Sequence, residues 1–139
     1  IAEMKSKYNT SPNGKLFDLY DNRKDIGNSG PPDGSSYKGR GYVQLTGRSN
    51  YIKYGKILGI DLERNPDLAC DTKYAGLILA AFISDVSDKV KRDLLEGDLK
   101  GARKLVNGGS HGLDRFSETY TLGIKSLPAD LIPEYRVHI

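Results

Sequence analysis

The sequence predicts a mainly α domain with one short β-like excursion, and three observations carry that prediction. From residue 49 onward, apolar residues recur at spacings of three and four, the helical period. Glycine, asparagine or proline punctuates the periodic stretches, as at Gly59, Asn65-Pro66, Gly97 and Asn107-Gly108-Gly109. β-branched and aromatic residues gather in one place, Tyr42 to Thr46, which could form a short strand. With 139 residues the chain is long enough for a single hydrophobic core. One domain over residues 1–139 is therefore expected. Because Ile1 is not an initiator methionine, that domain is expected to be incomplete at its N-terminus.

Taken in order, residues 1 to about 36 read as loop. Asn13-Gly14 is a turn, and Gly27-Asn28-Ser29-Gly30-Pro31-Pro32-Asp33-Gly34 is dense in chain breakers. Leu16, Phe17, Leu19 and Tyr20 form a small apolar cluster expected to anchor that loop to the core. A first helix should be capped by Ser49 or Asn50, carry Tyr51, Tyr54, Ile57 and Leu58 inward, and end at Gly59. A second should start at Asp71 or Thr72. It bears Tyr74, Ala75, Leu77, Ile78, Ala81 and Phe82, apolar around most of its circumference, and is expected to be the central buried helix. A separate amphipathic helix is expected from Val86 to Leu95, stopped by Gly97. Asp98 should then cap a fourth helix through Leu99, Ala102, Leu105 and Val106. The last should run from about Leu113 through Phe116, Tyr120 and Ile124, with Pro128 beyond its end.

Composition excludes several function classes. No apolar run approaches the roughly 18 residues needed to cross a bilayer, so no membrane partner is expected. The net charge of +3 favours approach to an anionic surface but specifies neither a bacterial wall nor nucleic acid. Tyrosines interleaved with Lys and Arg could stack on bases, yet there is no strongly basic run, and nucleic acid is not the expected partner. The single cysteine, Cys70, allows no internal disulfide and is expected to be a buried structural residue at the foot of the second helix. His111 and His138 lie far apart and make no metal motif, so no metal or organic cofactor is implied. There is no Gly-x-Ser-x-Gly nucleophile elbow.

The segment from Tyr37 to Tyr51 stands apart. Its fifteen residues hold three glycines, two arginines, three tyrosines and four neutral hydrogen-bonding side chains. Gly39-Arg40-Gly41 lacks the third glycine and the βαβ setting of a dinucleotide site. Gln44, Thr46 and Asn50 offer both donors and acceptors, which suits a neutral polar polymer such as a polysaccharide. Hydrolysis of a glycosidic bond needs two carboxyl groups. The 18 acidic residues do not by their spacing select a pair.

Gly39-Arg40-Gly41-Tyr42-Val43-Gln44-Leu45-Thr46 with Asn50-Tyr51 resembles the signature of family 19 glycoside hydrolases, the chitinases and related phage and bacterial wall lysins. Supporting matches are Gly55 to Leu62, Asn65-Pro66-Asp67-Leu68-Ala69, and Val106-Asn107-Gly108-Gly109 followed by Gly112 and Arg115. The resemblance implies a lysozyme-like fold and inverting hydrolysis of β-1,4-linked N-acetylglucosamine polymers, chitin or peptidoglycan, with one glutamic acid as general acid and another as base. The family's acid lies in a His-Glu-Thr motif, which this sequence does not contain. By the same resemblance Glu3 is the general base, and the acid is expected just upstream of Ile1. Gln44, Thr46 and Asn50 match positions lining the sugar cleft, although local turn bonding or helix capping would also explain them. Asn107 matches a substrate-binding asparagine and could also be a left-handed residue before two glycines. Arg115 matches an arginine that supports the acid; a surface ion pair with Asp114 or Glu118 is the alternative. Tyr37 and Tyr42 could stack on sugar rings or simply pack, and Tyr42 is counted among the substrate-binding residues. The implied protein is a monomer, secreted or delivered by phage to the cell wall. A non-catalytic wall-binding module that lacks the acid is the alternative function.

Overall fold

The computed structural model describes residues 5–128. Their order is mainly helical: α1 (Asp33–Ser36), α2 (Arg48–Leu58), α3 (Thr72–Leu95), α4 (Leu99–Asn107) and α5 (Leu113–Ser126), with single-turn 3₁₀ segments at Asp18–Tyr20, Lys24–Ile26 and Pro66–Cys70. The chain divides into two compact units, Ile1–Phe82 and Ile83–Ile139, and the division falls inside α3. None of the described helices is long and apolar enough to cross a membrane.

The first unit is built around α2. Tyr51 is fully buried, Tyr54 is nearly so, and both join Tyr37, Leu45, Leu62, Ala69 and Ile78 in one cluster. Val43, Leu58, Ile60, Leu68, Ala81 and Phe82 pack against it. Tyr37 and Tyr51 meet with ring centroids 5.4 Å apart, and the Tyr37 hydroxyl donates to Glu63 O at 3.2 Å. The buried helix is therefore α2 and not α3. Only Ala75 and Ile78 of α3 are buried, and Leu77 is 43% exposed. An apolar circumference states what a helix can bury, not what surrounds it.

α3 also runs without a break where two helices were expected. Ile83, Ser84 and Asp85 contain no glycine or proline to end it, and a change from apolar to charged composition is not a change of element. The expected start is right: Asp71 Oδ1 accepts from the amides of Lys73 (3.0 Å) and Tyr74 (3.4 Å), an N-cap arrangement. Gly59 ends α2 in a left-handed conformation, as expected.

The start of α2 differs from expectation. Its cap position is Gly47, not Ser49 or Asn50. Gly47 has φ 88°, and a Cβ there would meet Ile26 Cβ at 2.5 Å, so no side chain fits. With no side chain on the cap residue, the capping oxygen comes from elsewhere. Asn28 Oδ1 accepts from Arg48 N at 2.9 Å, while Asn28 Nδ2 donates to Tyr20 O at 2.8 Å. Ser49 Oγ adds a bond to Ile26 O at 2.8 Å. The loop of residues 20–30 is thus fastened to the helix it precedes.

That early loop is held by polar side chains more than by its apolar cluster. Leu16, Phe17 and Tyr20 are only half-buried and Leu19 is 47% exposed. Thr10 Oγ1 instead accepts from Phe17 N at 3.2 Å, and Asp21 Oδ1 accepts from Gly34 N at 2.8 Å at the head of α1. The Pro31–Pro32 bond is cis.

In the second unit, Asp98 caps α4 by accepting from Gly101 N at 2.8 Å, and Gly108 ends it with φ 69°. Val86, Val90 and Leu94 are half-buried along one face of α3, as their spacing predicts. Ala102 is its one buried hydrophobic residue among those described.

Candidate functional site

The strand expected over Tyr42 to Thr46 is a tight loop closed at its base by one antiparallel bridge. Leu45 N donates to Arg40 O at 2.9 Å, and Arg40 N donates to Leu45 O at 3.2 Å. Gly41 (φ 69°) and Gln44 (φ 50°) both take left-handed conformations, which reverse the chain and which a strand does not admit. The β-type composition has another use: Leu45 is 4% exposed and Val43 packs on the core. Gly41 also needs its bare backbone, since a Cβ there would lie 2.5 Å from Ala69 O.

Three of the candidate residues form a ladder along this loop and the first turn of α2. Gln44 Nε2 donates to Gly41 O at 3.0 Å, Thr46 Oγ1 donates to Gln44 O at 2.7 Å, and Asn50 Nδ2 donates to Thr46 O at 2.8 Å. Asn50 is the third residue of α2, bonding back one turn. Local bonding therefore does occur at all three residues. It employs the Thr46 O–H and one N–H each of Gln44 and Asn50, and leaves the second amide N–H groups as donors and Gln44 Oε1, Asn50 Oδ1 and the Thr46 hydroxyl lone pairs as acceptors. Gln44 is exposed, Thr46 and Asn50 are half-buried, and a Cβ on Gly39 would meet Gln44 Oε1 at 2.9 Å and Thr46 Oγ1 at 3.2 Å. Tyr42 stands at the loop tip, 65% exposed, whereas Tyr37 is packed in the core and is removed from the list of stacking candidates.

Beneath the loop lies a residue that the sequence reading passed over. Arg40 is 7% exposed, and its guanidinium donates to Ser36 O (2.8 Å), the Tyr51 hydroxyl (3.0 Å) and Asp67 Oδ1 (Nε 3.0 Å, terminal nitrogen 2.9 Å). Tyr51 in turn donates to Lys38 O at 2.7 Å. Burial pushes the Tyr51 phenol up to about 12, against the opposing pull of the Arg40 hydrogen bond and charge. Gly39-Arg40-Gly41 carried no sign of this burial: the two bare positions accommodate Gln44 Oε1 and Thr46 Oγ1 on one side and Ala69 O on the other, and the acceptors around the guanidinium come from distant segments. Next to this node, Arg48 donates to Glu63 Oε1 from Nε (3.1 Å) and a terminal nitrogen (2.8 Å), and that hydrogen bond raises the arginine pKa.

The remaining candidates lie elsewhere. Asn107 is the exposed last residue of α4, and the left-handed role suggested for it falls to Gly108. Arg115 is exposed in the first turn of α5, and among the described residues no ion pair joins it to Asp114 or Glu118. Both belong to the second unit, and Gln44, Thr46, Asn50 and Tyr42 to the first. Glu3 lies outside the described residues. Cys70 is exposed at the end of the Pro66–Cys70 turn, which overturns the buried role expected for it. Proximity to a core helix in sequence does not fix which side of the turn a side chain leaves from.

No family model matches the chain. It is similar to a glycosyl hydrolase family 19 domain-containing protein of Haemophilus influenzae, with 31% identity over 121 residues, 82% of this chain and 54% of that protein. It is also similar to rice chitinase 11, 44% identical over 59 residues (42% of this chain, 22% of the relative). The acidic 27 kDa endochitinase of Solanum lycopersicum is 57% identical over 35 residues (25% and 14%). The chain thus spans about half of the Haemophilus influenzae protein and less of the plant ones. With a mainly helical fold and a likeness that runs along four-fifths of its sequence, the chain belongs to glycosyl hydrolase family 19.

Proposed function

We propose that this chain is the larger part of a glycoside hydrolase domain acting on β-1,4-linked N-acetylglucosamine polymers, chitin or peptidoglycan. The observation that supports the reading most is the ladder of Gln44, Thr46 and Asn50, each fixed by one donor bond to the backbone, with acceptors and the second amide N–H groups left for a ligand. Such a row suits the hydroxyl and N-acetyl N–H donors of a sugar chain, and the exposed Tyr42 ring offers a flat apolar face beside it. The relatives named as chitinases support the same substrate class.

On this reading the reaction is inverting. One carboxylic acid protonates the glycosidic oxygen while a carboxylate across the cleft deprotonates a water that attacks the anomeric carbon. Glu3 is assigned as that base, and Thr46 and Asn50 help to hold the water or the sugar; by the family resemblance Asn107 is assigned to substrate binding and Arg115 to support of the acid. The acid is the glutamate of a His-Glu-Thr segment outside the 139 residues. Neither a metal nor an organic cofactor enters this scheme.

The test is Glu3→Gln in the full-length protein. Turnover of N-acetylglucosamine oligomers or wall fragments should fall by at least roughly 10³-fold, while oligosaccharide affinity stays within a few-fold. Retained turnover would remove Glu3 from the mechanism. Binding without turnover in the unaltered full-length protein would favour a wall-binding module instead. Binding to DNA that falls steeply with salt, without binding to sugar, would sink both readings.

A further inference from the structure

We infer that Arg40 is the positioning residue of the sugar-binding loop: it acts through Gln44 and touches no ligand itself. The inference rests on the proposed carbohydrate reading for its consequence, but its physical basis is independent of any ligand. Arg40 sits at the base of the loop, where its backbone makes both bonds of the Arg40–Leu45 bridge. Its side chain turns inward, away from the exposed ladder, and joins three separate pieces of chain. Ser36 O belongs to the end of α1, the Tyr51 hydroxyl to α2, and Asp67 to the Pro66–Cys70 turn. A longer contact reaches Lys38 O at 3.4 Å.

Two features make the arrangement specific to arginine. The guanidinium spreads five donors in a plane, so one side chain can face a carbonyl, a phenol and a carboxylate at once; a lysine ammonium is a point charge with three donors. The ion pair is also unequal, with Arg40 7% exposed and Asp67 91% exposed. The buried partner cannot leave without stranding its donors, whereas the exposed partner is readily hydrated. The anchor is therefore the arginine and its neutral acceptors, and Asp67 adds the Pro66–Cys70 turn, on which Gly41 rests through Ala69 O.

The consequence falls on Gln44. A non-glycine residue at φ 50° persists only where its surroundings impose it, and what imposes it here is the bridge that Arg40 closes. If the base of the loop loosens, Gln44 relaxes toward ordinary backbone and its side chain leaves Gly41 O and the face of Gly39. Arg40 thereby sets how the ladder is presented, while α2 keeps its own packing through Tyr51 and Tyr54.

The experiment uses Arg40→Lys, Gln44→Ala and the double variant in the full chain, with Asp67→Asn as a milder disturbance should Arg40→Lys fail to fold. Amide hydrogen exchange supplies a ligand-free readout. The expected result is faster exchange at Gln44 and Leu45, by about tenfold or more in Arg40→Lys and less in Asp67→Asn, with Tyr54 and Gly55 in α2 unchanged. Unchanged loop exchange, or equal acceleration in the loop and α2, would overturn the proposal in favour of a general stabilising role. Titration with N-acetylglucosamine oligomers supplies the second arm. Arg40→Lys should weaken binding by roughly tenfold alone and by less than about twofold once Gln44 is alanine. Additive losses would show that Arg40 does not act through Gln44. Wild-type protein that binds no such oligomer would refute the carbohydrate reading, and the exchange result would still decide the role of Arg40.

Discussion

The two compact units solve the problem of backbone satisfaction in opposite ways. Beyond Ile83 the described chain is nearly all helix, which closes its own amide and carbonyl bonds; Asp98 at the head of α4 is the side chain recruited as a cap. Up to Phe82 long stretches are turns and single 3₁₀ turns, which close only part of their own bonds, and buried side chains supply others. Thr10, Asp21, Asn28 and Arg40 are all less than 9% exposed, and each bonds to the backbone of another segment. The irregular unit is the one with the large buried cluster, while Ala102 alone is fully covered among the described hydrophobic residues of the helical one. Regularity and fixity are separate properties here. The candidate binding ladder lies in the less regular and more firmly pinned region, where side chains can be held at angles that a helix or strand would not allow.

Removing a pin from the first unit should therefore cost more than removing the corresponding one from the second. Asn28→Ala leaves Arg48 N without its partner and removes one of the two bonds to Tyr20 O, which keeps Arg23 N, and should lower unfolding free energy by about 1–3 kcal/mol, read from urea midpoints. A loss under about 1 kcal/mol would mean that water or a neighbour replaces the amide. Tyr51→Phe, which deprives Lys38 O and the Arg40 guanidinium of one partner, should cost about 1–3 kcal/mol at neutral pH. The same variant has a pH signature. The folded phenol has its pKa raised to about 12, above the ordinary value of 10.0, so the native state holds its proton more tightly than the unfolded chain. Stability from this group is complete below about pH 10 and is lost as pH climbs toward 12, and its slope is negative in that window. Urea midpoints at pH 9 and pH 11 should differ less in Tyr51→Phe than in the wild type; an identical difference would assign the alkaline loss to other groups. Asp98→Ala sits at the smallest end, about 1 kcal/mol, because water can reach the amide that it uncovers. If circular dichroism shows Asp98→Ala melting earlier than Asn28→Ala, the contrast between the units is wrong.

Much of the helical framework was legible because its signals are local. Gly59, Gly97 and Gly108 end helices where the periodicity stops, and Asp71 and Asp98 start them. Errors arose where a distant residue decided the outcome. Ser49 and Asn50 have the right chemistry for a cap, but Gly47 is pressed against Ile26 and the cap arrives from Asn28. The strand over Tyr42–Thr46 has β-forming residues, yet two left-handed positions fold it into a loop, and nothing in Gln44 itself announces φ 50°. The division of α3 failed because composition changed without a breaker. In the candidate site, Gln44, Thr46 and Asn50 were singled out by their hydrogen-bonding chemistry and by family resemblance, and they stand together. Arg40 was missed because an arginine is expected outside, and only the surrounding acceptors make a buried one tolerable.

The bond from Asn28 to Arg48 has a bearing on how portable the ladder is. The amide at the head of α2 is addressed by a residue twenty positions earlier, and Ser49 returns a bond to that same early loop through Ile26 O. A segment cut out as residues 37–59 would keep the recognisable motif and lose its starting mark, because the instruction for where α2 begins is written outside the motif. Grafting the ladder onto another scaffold means carrying the loop of residues 20–30 with it. The transferable unit is a pair of segments, separated in sequence and joined by the Asn28 amide and the Ser49 hydroxyl.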